Sequence, residues 1–291
     1  MARLRAGWRW IVGGLAAAAL CVVLPEGTRA ADAPRRIVSL NLCTDLLLLA
    51  LAEPSRIAAL SFLSTDPDLS YYAADARALP RIRGSAEEVV PLKPDLVLAE
   101  AHSARTTVAL LRRLGYRVLD LPVAATLADV REEIRTLARV LGEEAKGAAL
   151  IAAMDEGLAR LAPGEAGAAP GALVYLANGY VPALPSLPDE LLRAAGLRNL
   201  APELGLAAGG RLALEALLVA DPDLLVLEEA RADAASLADA LLAHPTVRAR
   251  LGTARLIRMP AQYWTCGGPF VVHAARLLAD ARVRRVAEGR R

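Results

Sequence analysis

Two stretches of this chain are versions of one another. Glu87-Glu88-Val89-Val90-Pro91-Leu92-Lys93-Pro94-Asp95-Leu96-Val97-Leu98-Ala99-Glu100 returns as Glu215-Ala216-Leu217-Leu218-Val219-Ala220-Asp221-Pro222-Asp223-Leu224-Leu225-Val226-Leu227-Glu228, with the matching glutamate, proline and aspartate each offset by 128 residues. Each copy reads as a short helix, a Pro-Asp turn and a buried strand. Proline cannot continue a helix, and the short apolar run behind it has the length of a strand. Ser85 and Glu88 have the spacing of a capping box, which starts the first helix. A unit found twice, about half a chain apart, predicts two similarly built lobes, whereas a solenoid needs at least three copies.

The chain has 291 residues, 55% of them hydrophobic, enough for two lobes of ordinary domain size. Its first thirty residues are set apart. Arg3, Arg5 and Arg9 precede an apolar run over 11–24, and Thr28-Arg29-Ala30 has the form of a cleavage site. Residues 1–30 therefore read as a secretory signal peptide cleaved near Ala30, which implies a periplasmic address. The alternative, an N-terminal anchor, suits a longer apolar run. Without residues 1–30 the formal charge becomes 30 − 31 = −1, so no basic footprint for a nucleic-acid partner remains. Cys43 and Cys266 survive processing. An oxidising compartment permits a disulfide. A bond between different lobes would restrain any hinge, so two separate, partly buried thiols are expected.

Along the chain, strand and helix patterns alternate, as in parallel α/β layers. Strand 36–40 runs into Asn41, Cys43, Thr44 and Asp45, with a helix expected over 46–51. Polar residues there stand where α/β proteins place ligands, although Thr44 or Asp45 also suits a helix cap. Leu127, Val130, Ile134, Leu137 and Leu141 form one apolar helical face. Gly142 breaks that run, and a further helix over 143–161 is expected to connect the lobes as a stiff rod. The expected organisation is a first lobe over 31–141, a connecting helix within 142–165 and a second lobe over 166–291.

Beyond residue 30 the chain has nine aromatic residues, and five of them fall in loops at strand ends: Tyr71, Tyr72, Tyr180, Tyr263 and Trp264. Such placement offers broad, flat contact at low entropic cost. Trp264, beside a Gly-Gly-Pro turn, reads as a binding residue; for Tyr71 and Tyr72, packing over the lobe ends is an equal alternative. Asn41, Cys43, His102, Arg105 and Arg211 complete the candidate ligand set. No catalytic signature is present: there is no nucleophile elbow, HExxH or P-loop. His102, His244 and His273 are too scattered for a zinc cage. His273 falls inside the last helix, where a structural role is expected.

The signal peptide, the duplicated motif and the joining helix resemble periplasmic substrate-binding proteins of ABC importers, in the group that takes up vitamin B12, ferric siderophores and haem. The resemblance covers roughly residues 35–288, and Tyr263-Trp264-Thr265-Cys266-Gly267-Gly268-Pro269 supports it. It implies two Rossmann-like α/β lobes joined by a single long helix, with small closure around an interlobe cleft. It also implies a monomer without catalysis or a resident cofactor, whose ligand itself carries iron or cobalt. In that family an acidic residue on each lobe docks to arginines of the membrane permease. Glu87 and Glu215 hold the matching positions, where each would also favour its own helix N-terminus. The ligand stays open. Flat corrinoids would pack on Trp264, Tyr263 and Tyr180. Haem would take an axial group from Tyr71, Tyr72 or His102. An anionic siderophore would draw on Arg105 and Arg211. Other classes to weigh are a secreted α/β hydrolase with Ser39 or Ser103 as nucleophile, and an extracytoplasmic sensor.

Overall fold

A computed structural model describes residues 33–161, 169–229 and 255–289, with positions 245, 247, 249 and 252. The signal-peptide reading of 1–30, residues 162–168 and His244 lie outside the described residues. The first half of the protein is built on β1 (Ile37–Ser39), β2 (Ile57–Ser61), β3 (Arg81–Ile82), β4 (Leu96–Glu100) and β5 (Val118–Leu121). They form one sheet in the order β3-β2-β1-β4-β5, and every pairing is parallel. The second half contains β6 (Gly171–Tyr175), β7 (Tyr180–Val181), β8 (Arg198–Asn199), β9 (Gly210–Arg211), β10 (Leu224–Glu228) and β11 (Leu256–Met259). Its parallel sheet has the order β11-β10-β6-β8, and β7 and β9 make a small antiparallel pair beside it. Within the continuously described segments the α-helices are α1 (Leu42–Leu51), α2 (Ala73–Ala76), α3 (Ala86–Val89), α4 (Arg105–Arg113), α5 (Leu127–Leu141), α6 (Glu144–Ala159), α7 (Leu187–Ala194), α8 (Leu214–Ala220) and α9 (Val271–Gly289).

The repeated motif does the same structural job in each half. Its helical segment, α3 with the 3-10 turn Val90–Leu92 behind it or α8 alone, ends on a residue in the left-handed region, Lys93 at φ 46° or Asp221 at φ 43°. That residue turns the chain, and the proline behind it blocks any further helix. The aspartate then pins the start of the neighbouring strand. Asp95 accepts from the backbone N–H of Arg35 at 2.7 Å and of Arg36 at 3.0 Å, just ahead of β1. Asp223 accepts from Gly171 at 2.9 Å, the first residue of β6. The strand behind each aspartate then lies beside the strand it has pinned, Leu96 opposite Ile37 and Leu224 opposite Ala172. Ser85 and Glu88 form the expected capping box, whereas α8 starts at Ala213 with no side-chain cap.

Between the sheets lie α5 and α6. Thr126 and Asp129 form a capping box at the start of α5, and Gly142 at φ 72° ends it. The five periodic apolar residues of α5 are all buried. One end of α5 meets the second half, where the Leu127 N–H donates to Glu190 Oε2 of α7 at 3.4 Å. The other end meets the first half, where Arg56 Nη2 donates to the Leu141 carbonyl at 2.7 Å and Nη1 to Glu143 at 2.9 Å. Helix α6 occupies the stretch where the connecting helix was expected and runs from Glu143 toward α9. Its close approaches are made at glycines: a Cβ on Gly147 would sit 2.6 Å from Ala138 Cβ, and one on Gly157 2.5 Å from Val272 Cγ2.

Two expectations are corrected. Helix α1 starts at Leu42 and not near residue 46, because Asn41 is the cap and neither Thr44 nor Asp45 is; the Asn41 side chain accepts from the Thr44 N–H at 2.9 Å. The two cysteines are not separate thiols. Cys43 and Cys266 form a disulfide with Cα atoms 5.1 Å apart. The bond ties the two halves covalently across 223 residues of chain, in addition to the helices that run between them.

Candidate functional site

In a parallel sheet every strand points its C-terminal end to one edge, and the connecting loops collect there. In the first sheet that edge carries Asn41 behind β1, Phe62 behind β2, Arg83 behind β3 and His102 behind β4. The order of connection reverses between β1 and β4, which makes that gap the switch point. Asn41 and Ser103 bridge it: Asn41 Nδ2 donates to Ser103 Oγ at 2.7 Å, and Ser103 Oγ donates to the Glu100 carbonyl.

Under this edge lies a closed polar network. Ser39 Oγ is 2.7 Å from Thr44 Oγ1, and the Asp45 carboxylate accepts from both the backbone N–H and the hydroxyl of Ser61. Asp45 is fully buried. Burial pushes its carboxyl up to about 7, against the lowering effect of hydrogen bonds from Ser39 and Ser61. The network holds the ends of β1 and β2 and the first turn of α1 in one geometry. Ser39 and Ser103 are therefore structural hydroxyls. Neither touches a histidine among the described residues, and the hydrolase alternative finds no support.

The predicted ligand residues separate into two groups. His102, Arg105, Tyr180 and Arg211 are exposed, and Tyr180 pairs with Arg211 across β7 and β9. Of the others, Cys43, Tyr71, Tyr72 and Tyr263 make contacts across the junction of the two halves, while Asn41 and Trp264 bond within their own halves. The Tyr71 ring stacks on Phe270 at 5.1 Å and on His273 at 5.3 Å, with Tyr72 and Tyr263 alongside. Tyr71 Oη lies 3.0 Å from His273 Nε2. Trp264 is only 4% exposed, and its indole N–H donates to Glu228 Oε2 at 3.1 Å. Cys43 is half-buried and bonded to Cys266. Asn41 has its amide committed to Thr44 and Ser103.

Two further residues escaped the sequence reading, one at the edge of the first sheet and one on α5. Phe62 is 53% exposed immediately behind β2, and the Arg83 guanidinium stands 5.9 Å over its ring. With Tyr180, 44% exposed in the other half, it gives each edge an open aromatic face. The second is Glu133 of α5, only 6% exposed. Burial, with Glu100 and Asp129 nearby, pushes its carboxyl up to about 8. A Cβ on Gly267 would sit 3.5 Å from its Oε2. Its spacing from Val130 and Leu137 on the apolar face of α5 is the signal that could have found it.

Glu87 and Glu215 are both exposed and hold the second position of α3 and α8. Both helices precede their strands, so each glutamate sits toward the C-terminal edge of its own sheet. The Glu87 carboxyl is held below the usual range by its own backbone N–H and by Ser85.

Two parallel α/β lobes, tied across their junction and open along their loop edges, define a two-lobed binding-protein fold. A model of the periplasmic binding protein family matches residues 37–251, and the chain belongs to this family. Its members are substrate-binding proteins that work outside the cytoplasm. A cobalamin-binding protein of Halobacterium salinarum is 29% identical over 198 residues, 66% of this chain and 53% of that protein. The chain thus spans about half the length of the curated relative it matches. The periplasmic haem-binding protein BhuT, solved with two haems, superposes with a TM-score of 0.65 at 28% identity, over 86% of this chain and 99% of that one. An ABC-type Fe3+-hydroxamate transport protein from Saccharomonospora viridis is alike in fold, with a TM-score of 0.66 at 22% identity over 86% of this chain and 93% of that one. No helix among the described residues is long and apolar enough to cross a membrane.

Proposed function

We propose that this protein captures a corrinoid or an iron chelate and delivers it to the membrane permease of an ABC importer. The observation that carries this is the family match, which runs through the whole first sheet and most of the second. The ligand is held between a lobe over 31–141 and a lobe over 166–291, with 142–165 as the joint. The open rings of Phe62 and Tyr180 suit a large flat guest. Arg83, Arg105 and Arg211, exposed at the edges, suit its anionic groups. The cobalamin-binding relative favours a corrinoid, and the likeness to a haem binder keeps haem as the second reading. Glu87 and Glu215 dock to cationic groups of the permease, and the protein reaches the periplasm by cleavage near Ala30.

Calorimetric titration of the purified chain with cyanocobalamin, ferrichrome and haemin tests the assignment. One of the three is expected to bind one-to-one with Kd about 1 μM or tighter, roughly −8 kcal/mol. No binding tighter than about 1 mM by any of them removes the chelate reading.

A further inference from the structure

We propose that the Cys43–Cys266 cystine is a redox-sensitive latch that sets how far the two lobes part. Cys43 lies in the first turn of α1, two residues past Asn41 at the edge of the first sheet. Cys266 lies 223 residues on, between β11 and α9 of the other lobe. The bond therefore fastens one cleft edge directly to the loop of the other. Cys266 is 3% exposed and Cys43 is half-buried, so Cys43 is the more open of the two residues and the side from which a thiolate would approach.

An extracytoplasmic dithiol is the partner class. Its thiolate attacks Cys43 Sγ, the S–S bond breaks, and Cys266 leaves as a thiolate that takes up a proton. The second thiol of the reductant then attacks the mixed disulfide and releases Cys43. Two electrons and two protons pass to the cystine, and the reductant becomes a disulfide. What still holds this side of the junction is non-covalent: the Tyr71–His273 hydrogen bond, the rings around it, and Gly267 seated against Ala124 and Val130. The oxidised protein presents a pre-organised cleft, and the reduced protein a looser one.

The test reads lobe motion directly, without any ligand, so it stands apart from the chelate assignment. The full mature chain is reduced with dithiothreitol in native buffer, and thiol release is verified by alkylation and mass. Amide exchange over 41–46 and 261–270 is expected to rise about tenfold or more, while β1, β4, β6 and β10 keep their protection. Cys43→Ser and Cys266→Ser should match the reduced protein; reduced wild type carries the test if either fails to fold. Three results overturn the latch: unchanged exchange over both segments after complete reduction, loss of protection in all four strands together, or a cystine that yields to the dithiol only in denaturant.

Discussion

Glu133 is a carboxyl group with nearly all of its surface removed from water and the carboxylates of Glu100 and Asp129 acting on it. Its ordinary value is 4.5 and its value in the fold is about 8, so the folded protein holds this proton more tightly than the unfolded chain does. The stabilisation is complete below about pH 4.5 and is lost as pH rises through 8. Asp45, pushed up to about 7 by burial, acts in the same direction over a lower window. Urea midpoints are expected to fall between pH 5 and pH 8 in the wild type. Glu133→Gln should remove roughly 2–4 kcal/mol of that fall and leave the Asp45 share. An unaltered slope in the variant would assign the pH response elsewhere. At this scale the chain was least legible. Trp264 sits in a loop beside glycines and reads as a contact residue, yet its indole meets a carboxylate 36 residues earlier in the chain. No local pattern announces that partner. Phe62 carried a usable signal, since it is the first residue past a parallel strand.

Elements were more legible because they follow from periodicity and chain-breaking residues. The strands of the repeated motif, Leu96–Glu100 and Leu224–Glu228, fall on its apolar runs as expected, and the buried face of α5 is the one its spacing predicts. The start of α1 was misplaced because Leu42 and Cys43 give no helical signal until the Asn41 amide is seen capping them. The approach of α5 and α6 depends on an absent side chain, which no hydrophobic pattern records. Gly147→Ala gains about 1 kcal/mol of helix propensity. It also forces a methyl to within 2.6 Å of Ala138 Cβ, and overpacking of this kind costs typically 1–3 kcal/mol. The rigid Ala138 Cβ cannot swing aside, so a net loss of stability is expected in chemical denaturation. Adding Ala138→Gly should restore most of the loss; a stabilised Gly147→Ala protein would mean that the two helices separate without cost.

For the whole molecule, the duplicated motif made the two-lobed architecture readable, since each copy contributes a turn, a pin and a central strand. The junction between lobes was not readable, because it joins residues about two hundred positions apart: Tyr71 with His273 and Cys43 with Cys266. Permease docking belongs at this scale. Glu87→Arg and Glu215→Arg are expected to abolish ligand-stimulated ATP hydrolysis by the cognate importer and to leave ligand affinity within about twofold of wild type, as for exposed charges away from the cleft. Weakened ligand binding in either variant would argue against docking.

With α5 fastened at one end to Arg56 and at the other to Glu190, and Cys43 bonded to Cys266, the oxidised molecule resembles a caliper held by a strut and a clasp. Under the proposed docking, the oxidised form would offer the permease the same span between Glu87 and Glu215 whether empty or loaded. A transporter meeting such a tool cannot learn from its width whether it carries cargo, and must inspect the jaws themselves.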